Sequence, residues 1–422
     1  MRAIGIVLAG GNNHRMRELS NKRAVAAMPV AGSYRGIDFA LSNMSNSHIQ
    51  RVAVLTQYNA RSLNEHLNSS KWWDFGRKQG GLYIFTPTIT ADNSSWYRGT
   101  ADSIYQNLDW LKKSHEPYVV IASGDAVYKM DYNKVLEYHI EKKADITVVC
   151  KDMPADTDVS RFGVLKTDEE GRITEFEEKP ANPSSNLASM GIYIFSWPVL
   201  KEALIKMKDE PGCDFGKHII PYCHENKQRL FAYEFNGYWK DVGTLGSYWE
   251  ANMELIDIIP EFNLYEEFWK IYTKSDILPP QYLADNSKVF RSIVGEGTQV
   301  YGEVYNSVIG SGVIIEEGAI VRDSIIMQNA RIGAGAVIDK SIIAESTEIG
   351  EGAVLGVGDE APNTLNAKVY AFGLVTIGEN SYIPPRVQIG KNTAIYGVTE
   401  LSDYENGMLP SGGSIIKGGA AR

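Results

Sequence analysis

The sequence of 422 residues is poor in cysteine and has no long apolar run. Its three cysteines, Cys150, Cys213 and Cys223, lack metal-type spacing and are too few for a disulfide framework, so we expect reduced thiols in a cytoplasmic protein. None of its apolar runs approaches the roughly 18 residues that a membrane-spanning helix needs. The first of them is also too short for a signal peptide.

Positive charge is scarce as well. Lys and Arg together number 42 against 52 Asp and Glu, which gives a formal net charge of −10 at pH 7. This balance argues against nucleic acid or an anionic membrane as the main partner. It leaves room for an anionic small substrate, because a few local cations are enough to hold one.

The opening loop lacks the two commonest phosphate-binding signatures. The apolar run 4–8 predicts a buried strand, and Gly10 and Gly11 follow it. Neither a G-x-G-x-x-G pattern nor a Gly-Lys-Ser/Thr sequence is present there. Paired glycines nevertheless let backbone N–H groups approach a phosphate, and Arg15 adds a fixed positive charge. A simple turn explains the glycines equally well, so the loop alone does not decide.

Up to about residue 255, strand-like and helix-like segments alternate. Strands are predicted over 52–56, 119–122, 145–149 and 191–195, and helices over 103–113, 133–143 and 197–207. This alternation predicts a Rossmann-like α/β domain with a mostly parallel sheet and helices on both faces. Ligands bind such sheets at the carboxyl ends of the strands, where the turn at Gly10 and Gly11 and the side chain of Asp125 fall.

From about residue 289, aliphatic residues recur every six positions instead. The positions are Val308, Ile314, Ile320, Ile326, Ile332 and Ile338, then Ile343, Ile349 and Leu355, and finally Ile377, Ile383, Ile389 and Ile395. A period of six predicts a triangular, left-handed parallel β-helix of hexapeptide repeats with these side chains inside. An ordinary β-sandwich would not keep this period.

The two patterns divide the chain into four parts. We predict an α/β domain over 1–255, a linker over 256–288, a β-helix domain over 289–401 and a C-terminal tail over 402–422. The linker has no repeat and contains Pro279 and Pro280. Two domains suit a chain that is too long for one ordinary core.

Two carboxylates lie where metal ligands are common. Asp125 ends the sequence Ser123-Gly124-Asp125, and Asp241 lies within 237–244. Two such groups are able to share a Mg²⁺ ion with phosphate oxygens, and the alternative is that each caps a turn or a helix.

Two further segments combine small and charged residues. Gly99, Thr100 and Ala101 leave space for a flat base, although Thr100 would also serve as a helix cap. Glu178 and Lys179 lie between two strands and suit a sugar hydroxyl and a phosphate, or equally a solvated hairpin.

In this order, the motifs resemble those of the sugar-nucleotide pyrophosphorylases, and more closely those of the bacterial glucose-1-phosphate adenylyltransferases, also called ADP-glucose pyrophosphorylases. The motifs that carry the resemblance lie at 8–11, 34–43, 55–58, 96–101, 123–125, 161–163, 176–180, 189–193, 214–217 and 238–244. The similarity runs from the first strand through the β-helix.

The resemblance implies a GT-A-type nucleotidyltransferase domain followed by a left-handed β-helix, and an enzyme that converts ATP and α-D-glucose 1-phosphate into ADP-glucose and diphosphate for glycogen synthesis. It assigns catalysis to Arg15, Asp125 and Asp241, with Mg²⁺ held by the two aspartates. It assigns ATP binding to Gly10, Gly11, Gln57, Tyr97, Gly99, Thr100 and Ala101. It assigns glucose 1-phosphate binding to Gly163, Glu178, Lys179, Ser189, Tyr193, Asp214, Phe215 and Trp239.

The resemblance extends to regulation and assembly. Lys22 and Arg23 match positions that help to bind an anionic effector, a sugar phosphate or a nucleotide. Solvated surface charge explains the same pair equally well. The β-helix is expected to mediate assembly into a homotetramer, or into a heterotetramer with a paralogous subunit.

Three features depart from the family pattern. Val25 stands where a phosphate-facing lysine is expected, Ala126 replaces the usual histidine, and Asn13 replaces the second glycine of the first loop. Loss of a cation beside the leaving diphosphate would cost roughly 2–4 kcal/mol of transition-state stabilisation. The alternative to an active enzyme is therefore a weakly active or non-catalytic regulatory subunit of a hetero-oligomeric assembly.

Overall fold

The structure, a computed structural model, describes residues 2–11, 14–76, 80–89, 95–155, 157–257 and 260–418. Its contacts divide the chain into two compact units. The first comprises Met1–Asn12, Ile37–Trp239 and Glu267–Tyr272, and the second comprises Asn13–Gly36, Lys240–Glu266 and Thr273–Arg422. In each unit, therefore, segments come together that are far apart along the chain.

The first unit is built on a nine-stranded sheet. Seven strands follow one another across it in the order Ile173–Glu178, Gly163–Thr167, Leu187–Ser196, Tyr118–Ser123, Ala3–Leu8, Arg51–Leu55 and Gly81–Phe85. Ile146–Asp152 pairs with Leu187–Ser196 on one side and with Leu230–Glu234 on the other. A further short strand of this unit is Ala126–Tyr128, and the strand Trp239–Asp241 begins in this unit at Trp239 and ends in the second unit.

The central strands are parallel and position the opening loop. Ala3–Leu8 runs parallel to Arg51–Leu55 and Tyr118–Ser123. Their interior residues are apolar and buried, as expected of strands covered on both faces. The prediction of a mostly parallel sheet is confirmed, with two exceptions: Leu187–Ser196 is antiparallel to Tyr118–Ser123 and Ile146–Asp152, and Ile173–Glu178 is antiparallel to Gly163–Thr167. A hairpin and a loop, rather than a crossover helix, lead into Leu187–Ser196, and only parallel pairing needs a crossover.

Helices cover the sheet. They are Gly36–Asn46, Ala60–His66, Thr100–Tyr105, Leu108–Lys112, Tyr132–Glu141, Trp197–Met207 and Ile220–Glu225, with a 3₁₀ turn at Ser70–Trp73 and a π-helical turn at Phe215–Ile219. The helix predicted over 103–113 is two helices, because Asn107 between them donates its side-chain amide to the Ser103 carbonyl and the Tyr97 hydroxyl. Every helix in the described part of the chain is too short or too polar to cross a membrane.

The second unit contains a parallel β-helix with three faces. The strands of the first face are Tyr282–Leu283, Gln299–Val300, Ile314–Ile315, Arg331–Ile332, Glu348–Ile349 and Tyr382–Ile383. Those of the second are Lys288–Phe290, Glu303–Tyr305, Ile320–Arg322, Val337–Asp339, Val354–Val357, Gln388–Gly390 and Met408–Leu409. Those of the third are Ile293–Val294, Val308–Ile309, Ile325–Ile326, Ser341–Ile343, Val375–Ile377, Thr393–Tyr396 and Ser414–Ile416. A 3₁₀ turn lies at Leu401–Asp403. Strands of the β-helix also lie before residue 289 and after residue 401, in the segments predicted as linker and tail. The division of the chain into four parts stays a prediction.

The inward-facing positions differ from the predicted ones at the three predicted positions before Ile326. The core contains Ile309, Ile315 and Val321, whereas Ile314 and Ile320 are half-exposed on the outside. Val308 is buried but likewise lies outside the core of the β-helix. Both residues of each pair are aliphatic, so a period of six fits either one. From Ile326 onwards all ten predicted positions are in the core.

Residues 14–36 and one helix cover the third face of the β-helix. Val308, Ile325 and Ile342 point away from the β-helix core, yet each is at most 2% exposed. The 3₁₀ turn Arg17–Leu19 contacts the strands Val375–Ile377 and Thr393–Tyr396 of this face.

Hydrogen bonds fix this cover. Trp249 on the helix Leu245–Glu254 donates its indole N–H to the Asp323 carbonyl at 2.8 Å. The Tyr370 hydroxyl donates to the carboxylate of buried Glu18. Residues 14–36 also contain the 3₁₀ turn Val25–Ala27 and the hairpin of Pro29–Val30 and Tyr34–Arg35. The segment that follows the glycine loop is thus part of the β-helix unit.

Candidate active site

The glycine loop begins directly after the central strand Ala3–Leu8. Ala9 continues the sheet by donating its N–H to the Leu55 carbonyl at 2.9 Å. A Cβ on Gly10 would lie 3.3 Å from the backbone nitrogen of Gln57, whereas one on Gly11 would have no described atom within 4 Å. Gly11 is exposed, so its backbone is accessible to a ligand. The next two residues, Asn12 and Asn13, lie outside the described part.

Gln57 and Tyr97 are brought together, but their side chains are bonded within the protein. The Gln57 amide donates to the Tyr97 carbonyl at 3.1 Å and accepts from the Tyr97 backbone N–H at 2.6 Å. The Tyr97 hydroxyl accepts from Asn107 at 3.0 Å, and burial raises the pKa of Tyr97. Gln57 therefore holds the backbone of the loop before the helix Thr100–Tyr105.

The start of that helix is fastened to a second predicted binding segment. Backbone N–H groups of Ala101 and Asp102 donate to the Cys213 carbonyl at 3.1 and 3.2 Å. Gly99 lies so close that a Cβ there would be 2.3 Å from the same carbonyl oxygen. The Thr100 hydroxyl donates to Asp214 at 2.7 Å. Residues expected to bind ATP and residues expected to bind the sugar phosphate therefore form one hydrogen-bonded group.

Asp125 lies just past the carboxyl end of the strand Tyr118–Ser123. Burial of its carboxyl raises its pKa, and the Ser123 hydroxyl and the charge of Lys179 act in the opposite direction. Ser123 donates a hydrogen bond to one carboxylate oxygen and so fixes its orientation. The sequence motif contained Ser123, but only the structure gives it this role.

Lys179, whose charge acts on the Asp125 carboxyl, forms an ion pair with Glu178. The Lys179 Nζ atom lies 3.1 Å from Glu178 Oε1, with the lysine side chain 54% exposed and the glutamate 13% exposed. The other oxygen, Oε2, lies between two glycines. A Cβ would be 3.0 Å from it on Gly163 and 2.1 Å from it on Gly216. Gly216, which sequence reasoning placed in a motif without a role, therefore leaves the space that the carboxylate occupies.

Aromatic rings form one wall of this group. Tyr193 stacks on Phe215 with ring centres 5.7 Å apart, and burial is the main cause that raises the pKa of Tyr193. Ser189 is buried at the irregularity of the same strand. Trp239 packs on Phe162 at 5.2 Å, and no described acceptor is bonded to its buried indole N–H.

Other predicted site residues belong to the second unit. Arg15 is exposed and Asp241 is half-buried at the end of the strand Trp239–Asp241. The Lys22 ammonium lies 3.7 Å from Glu379.

Arg23 is 7% exposed and forms an ion pair with Glu345. Burial is the main cause that lowers the pKa of Arg23. Arg23 is therefore not the solvated surface charge that the sequence left open as an alternative.

Two of the three positions that depart from the family pattern are apolar and enclosed, and the third, Asn13, lies outside the described residues. Val25 in the second unit is 5% exposed, and Ala126 in the first unit is 4% exposed. Neither offers a positive charge to a phosphate. Within the described ranges, no three His, Cys, Asp or Glu side chains are grouped to hold a metal ion.

Comparison with known families agrees with this architecture. The family model of nucleotidyl transferases matches residues 4–258. A second model, of the GlmU-like C-terminal hexapeptide, matches residues 281–377. The fold is thus a nucleotidyl transferase domain followed by a left-handed hexapeptide β-helix.

Relatives define the family more closely. The chain is 60% identical over 416 residues to the glucose-1-phosphate adenylyltransferase of Lachnospira eligens, covering 99% of this chain and 98% of the relative. It is 48% identical over 416 residues to that of Thermotoga maritima, covering 98% of both. It is 44% identical over 418 residues to that of Acetivibrio thermocellus, covering 99% and 98%. The chain belongs to the glucose-1-phosphate adenylyltransferase family of nucleotidyl transferases.

Proposed function

We propose that this chain joins ATP and α-D-glucose 1-phosphate to give ADP-glucose and diphosphate, as the step that supplies glycogen synthesis with activated glucose. The observation that carries the proposal is the grouping of Glu178, Lys179, Tyr193 and Phe215, with Asp125 within the electrostatic reach of Lys179. A sugar-phosphate site needs a cation to bind the phosphate, a carboxylate to accept from sugar hydroxyls and aromatic side chains to line the pocket.

The sugar phosphate would bind to this group. Lys179 is half-exposed and carries a point charge suited to the phosphate. The ion pair with Lys179 orients Glu178, and the absence of side chains at Gly163 and Gly216 leaves room for its carboxylate. This carboxylate would accept hydrogen bonds from sugar hydroxyls. The indole N–H of Trp239 adds a donor.

ATP would bind along the glycine loop. Gly10 and Gly11 bring bare backbone to the carboxyl end of the central strand, where ligands of such sheets bind. Gly99 and Ala101 lie at the start of the neighbouring helix, whose loop Gln57 holds. Arg15 is the cation that we assign to the phosphates.

The reaction is an attack by a sugar-phosphate oxygen on the α-phosphorus of ATP, which expels diphosphate. Positioning and charge neutralisation supply most of the catalysis in such a transfer, and no covalent nucleophile is needed. The residues described above act by holding both substrates. Since Val25 and Ala126 are enclosed and uncharged, the side chains that we assign to the phosphate charge are Arg15 and Lys179.

We assign Mg²⁺ as the metal, held by Asp125 and Asp241. The test of fit is the Asp125 carboxyl, a hard oxygen ligand whose burial raises its pKa and which a nearby cation would keep ionised. Mg²⁺ typically binds through one or two carboxylates and substrate phosphates rather than through a full cage of side chains. When bound, the ion supplies neutralisation of phosphate charge.

We further propose a tetramer that assembles through the β-helix, and an anionic effector that binds at Lys22 and Arg23. Both cations already face carboxylates, so the effector would have to replace Glu379 or Glu345 as their partner. We expect a sugar phosphate or nucleotide to change the rate a few-fold in the wild type and not in Lys22→Ala. Light scattering of the full chain measures assembly, and a monomer mass would overturn it. The buried free cysteines fit the reducing cytoplasm as the location.

The decisive experiment is an assay of the purified full chain alone. ATP, glucose 1-phosphate and Mg²⁺ are supplied, and diphosphate release and ADP-glucose formation are followed. We expect both products in equal amounts, and neither from Asp125→Asn. Absence of both products from the wild-type chain would overturn the proposed activity. Equal turnover with a different nucleotide or sugar phosphate would overturn the substrate assignment.

A further inference from the structure

The Thr100 hydroxyl is hydrogen-bonded inside the protein as both donor and acceptor. Its Oγ1 atom donates to Asp214 Oδ2 at 2.7 Å and accepts from the Phe215 backbone N–H at 3.2 Å. A hydroxyl donates a single hydrogen bond, and that of Thr100 goes to the Asp214 carboxylate. The side chain that sequence resemblance assigned to ATP therefore donates its proton to the segment that follows Cys213.

Asp214 in turn organises the segment after it. Its Oδ1 atom accepts from the backbone N–H groups of Gly216 at 2.9 Å and Lys217 at 3.4 Å. Its own backbone N–H donates to His218 Nδ1 at 3.0 Å. The Oδ1 atom of Asp214 thus caps the π-helical turn Phe215–Ile219. Its other oxygen, Oδ2, accepts the hydrogen bond from Thr100.

The capped turn carries two parts of the sugar-phosphate group. Phe215 supplies the ring on which Tyr193 stacks. Gly216 supplies the space beside the Glu178 carboxylate. A shift of this turn by a few tenths of an ångström changes both.

We propose that Thr100 is a positioning residue for the glucose 1-phosphate site and not a ligand of ATP. This inference rests on the proposed function for the identity of the substrate, and on the hydrogen bonds alone for the positioning. Thr100 acts through Asp214, which fixes where Phe215 and Gly216 stand.

The isosteric substitution Thr100→Val tests the proposal, because it removes the hydroxyl and keeps the volume. It leaves Asp214 Oδ2 without its donor and the Phe215 N–H without its acceptor. We expect the KM for glucose 1-phosphate to rise by about tenfold or more, as for loss of a hydrogen bond to a charged group, and the KM for ATP to stay within about threefold. Thr100→Ser keeps a hydroxyl and should restore both values.

A matched control is Thr174→Val, which removes an exposed strand hydroxyl bonded to the Lys166 carbonyl. It should change neither KM. A rise in the KM for ATP that equals or exceeds the rise for glucose 1-phosphate would overturn the proposal and make Thr100 a nucleotide ligand. Failure of Thr100→Ser to restore the values would also overturn it.

Hydrogen exchange without substrates separates this inference from the proposed function. In Thr100→Val the backbone amides of 215–219 should exchange faster than in the wild type and in Thr100→Ser. Unchanged exchange there would overturn the positioning role. A wild-type chain that makes no ADP-glucose overturns the proposed function alone, and the exchange comparison still supports or overturns the hold of Thr100 on this turn.

Discussion

Substitution of Gly216 by alanine tests the geometry of the sugar-phosphate group most directly. The added Cβ would lie 2.1 Å from Glu178 Oε2 and 2.5 Å from Glu178 Cδ, far inside van der Waals contact. The backbone of Gly216 is not in the left-handed region, so an alanine fits the main chain. The carboxylate of Glu178 therefore has to move away from Gly216.

The expected effect is specific to one substrate. Displacing the carboxylate removes a hydrogen bond between a charged group and a sugar hydroxyl, which is worth about 1.5–3 kcal/mol. Since each 1.4 kcal/mol is a factor of ten, the KM for glucose 1-phosphate should rise about ten- to hundredfold. The KM for ATP should stay within about threefold, and the melting temperature should change little because the far end of a side chain gives way.

Initial rates of diphosphate release, with each substrate varied in turn, measure both constants. Gly76→Ala is the matched control, because its Cβ would meet the Lys71 side chain at an ordinary 3.8 Å. If Gly216→Ala acts through Glu178, its effect should vanish in a Glu178→Ala background. Equal rises in both KM values, or full additivity of the two substitutions, would refute the reasoning.

Three further predictions concern buried charge. Asp125→Asn should lower turnover at least about a hundredfold. It should not lower the free energy of unfolding at pH 7, because the raised pKa means that ionising this carboxyl costs native-state stability, and urea titration measures this. Burial lowers the pKa of His139 from 6.5 to about 4. As the pH falls through this range, His139 is protonated in the unfolded chain before it is protonated in the folded one. The free energy of unfolding should therefore fall by up to about 3 kcal/mol between pH 6.5 and pH 4. In His139→Gln that part of the acid sensitivity should disappear from urea titrations at pH 7 and 4.5. Arg23→Ala should cost about 2–4 kcal/mol by leaving Glu345 without its buried partner, whereas Lys22→Ala, at a more exposed pair, should cost under about 1 kcal/mol in the same titration.

The architecture was predictable because it depends on periodicity. The six-residue spacing of aliphatic residues predicted the β-helix, and the alternation before residue 255 predicted the α/β sheet. Which aliphatic residue of each pair faces the β-helix core, and in which direction each strand of the sheet runs, were not predictable to the same degree. Ile314 and Ile315 are both isoleucine, so the six-residue spacing does not decide which one enters the core, and the structure places Ile315 there. The direction of Leu187–Ser196 depends on its pairing partners, which lie far away in the chain.

For the site, the sequence by itself determined which residue types are present and in which motifs. Glu178, Lys179 and Asp125 were found in this way, because charge and chemical type are properties of single residues. The tertiary structure decided what each side chain touches. It showed that Thr100 is bonded to Asp214, a hydrogen bond between residues 114 positions apart. It placed the space at Gly216 beside Glu178, and the segment with Arg23 against the β-helix. Such contacts depend on how distant segments pack, and packing is a property of the whole fold that no local pattern contains.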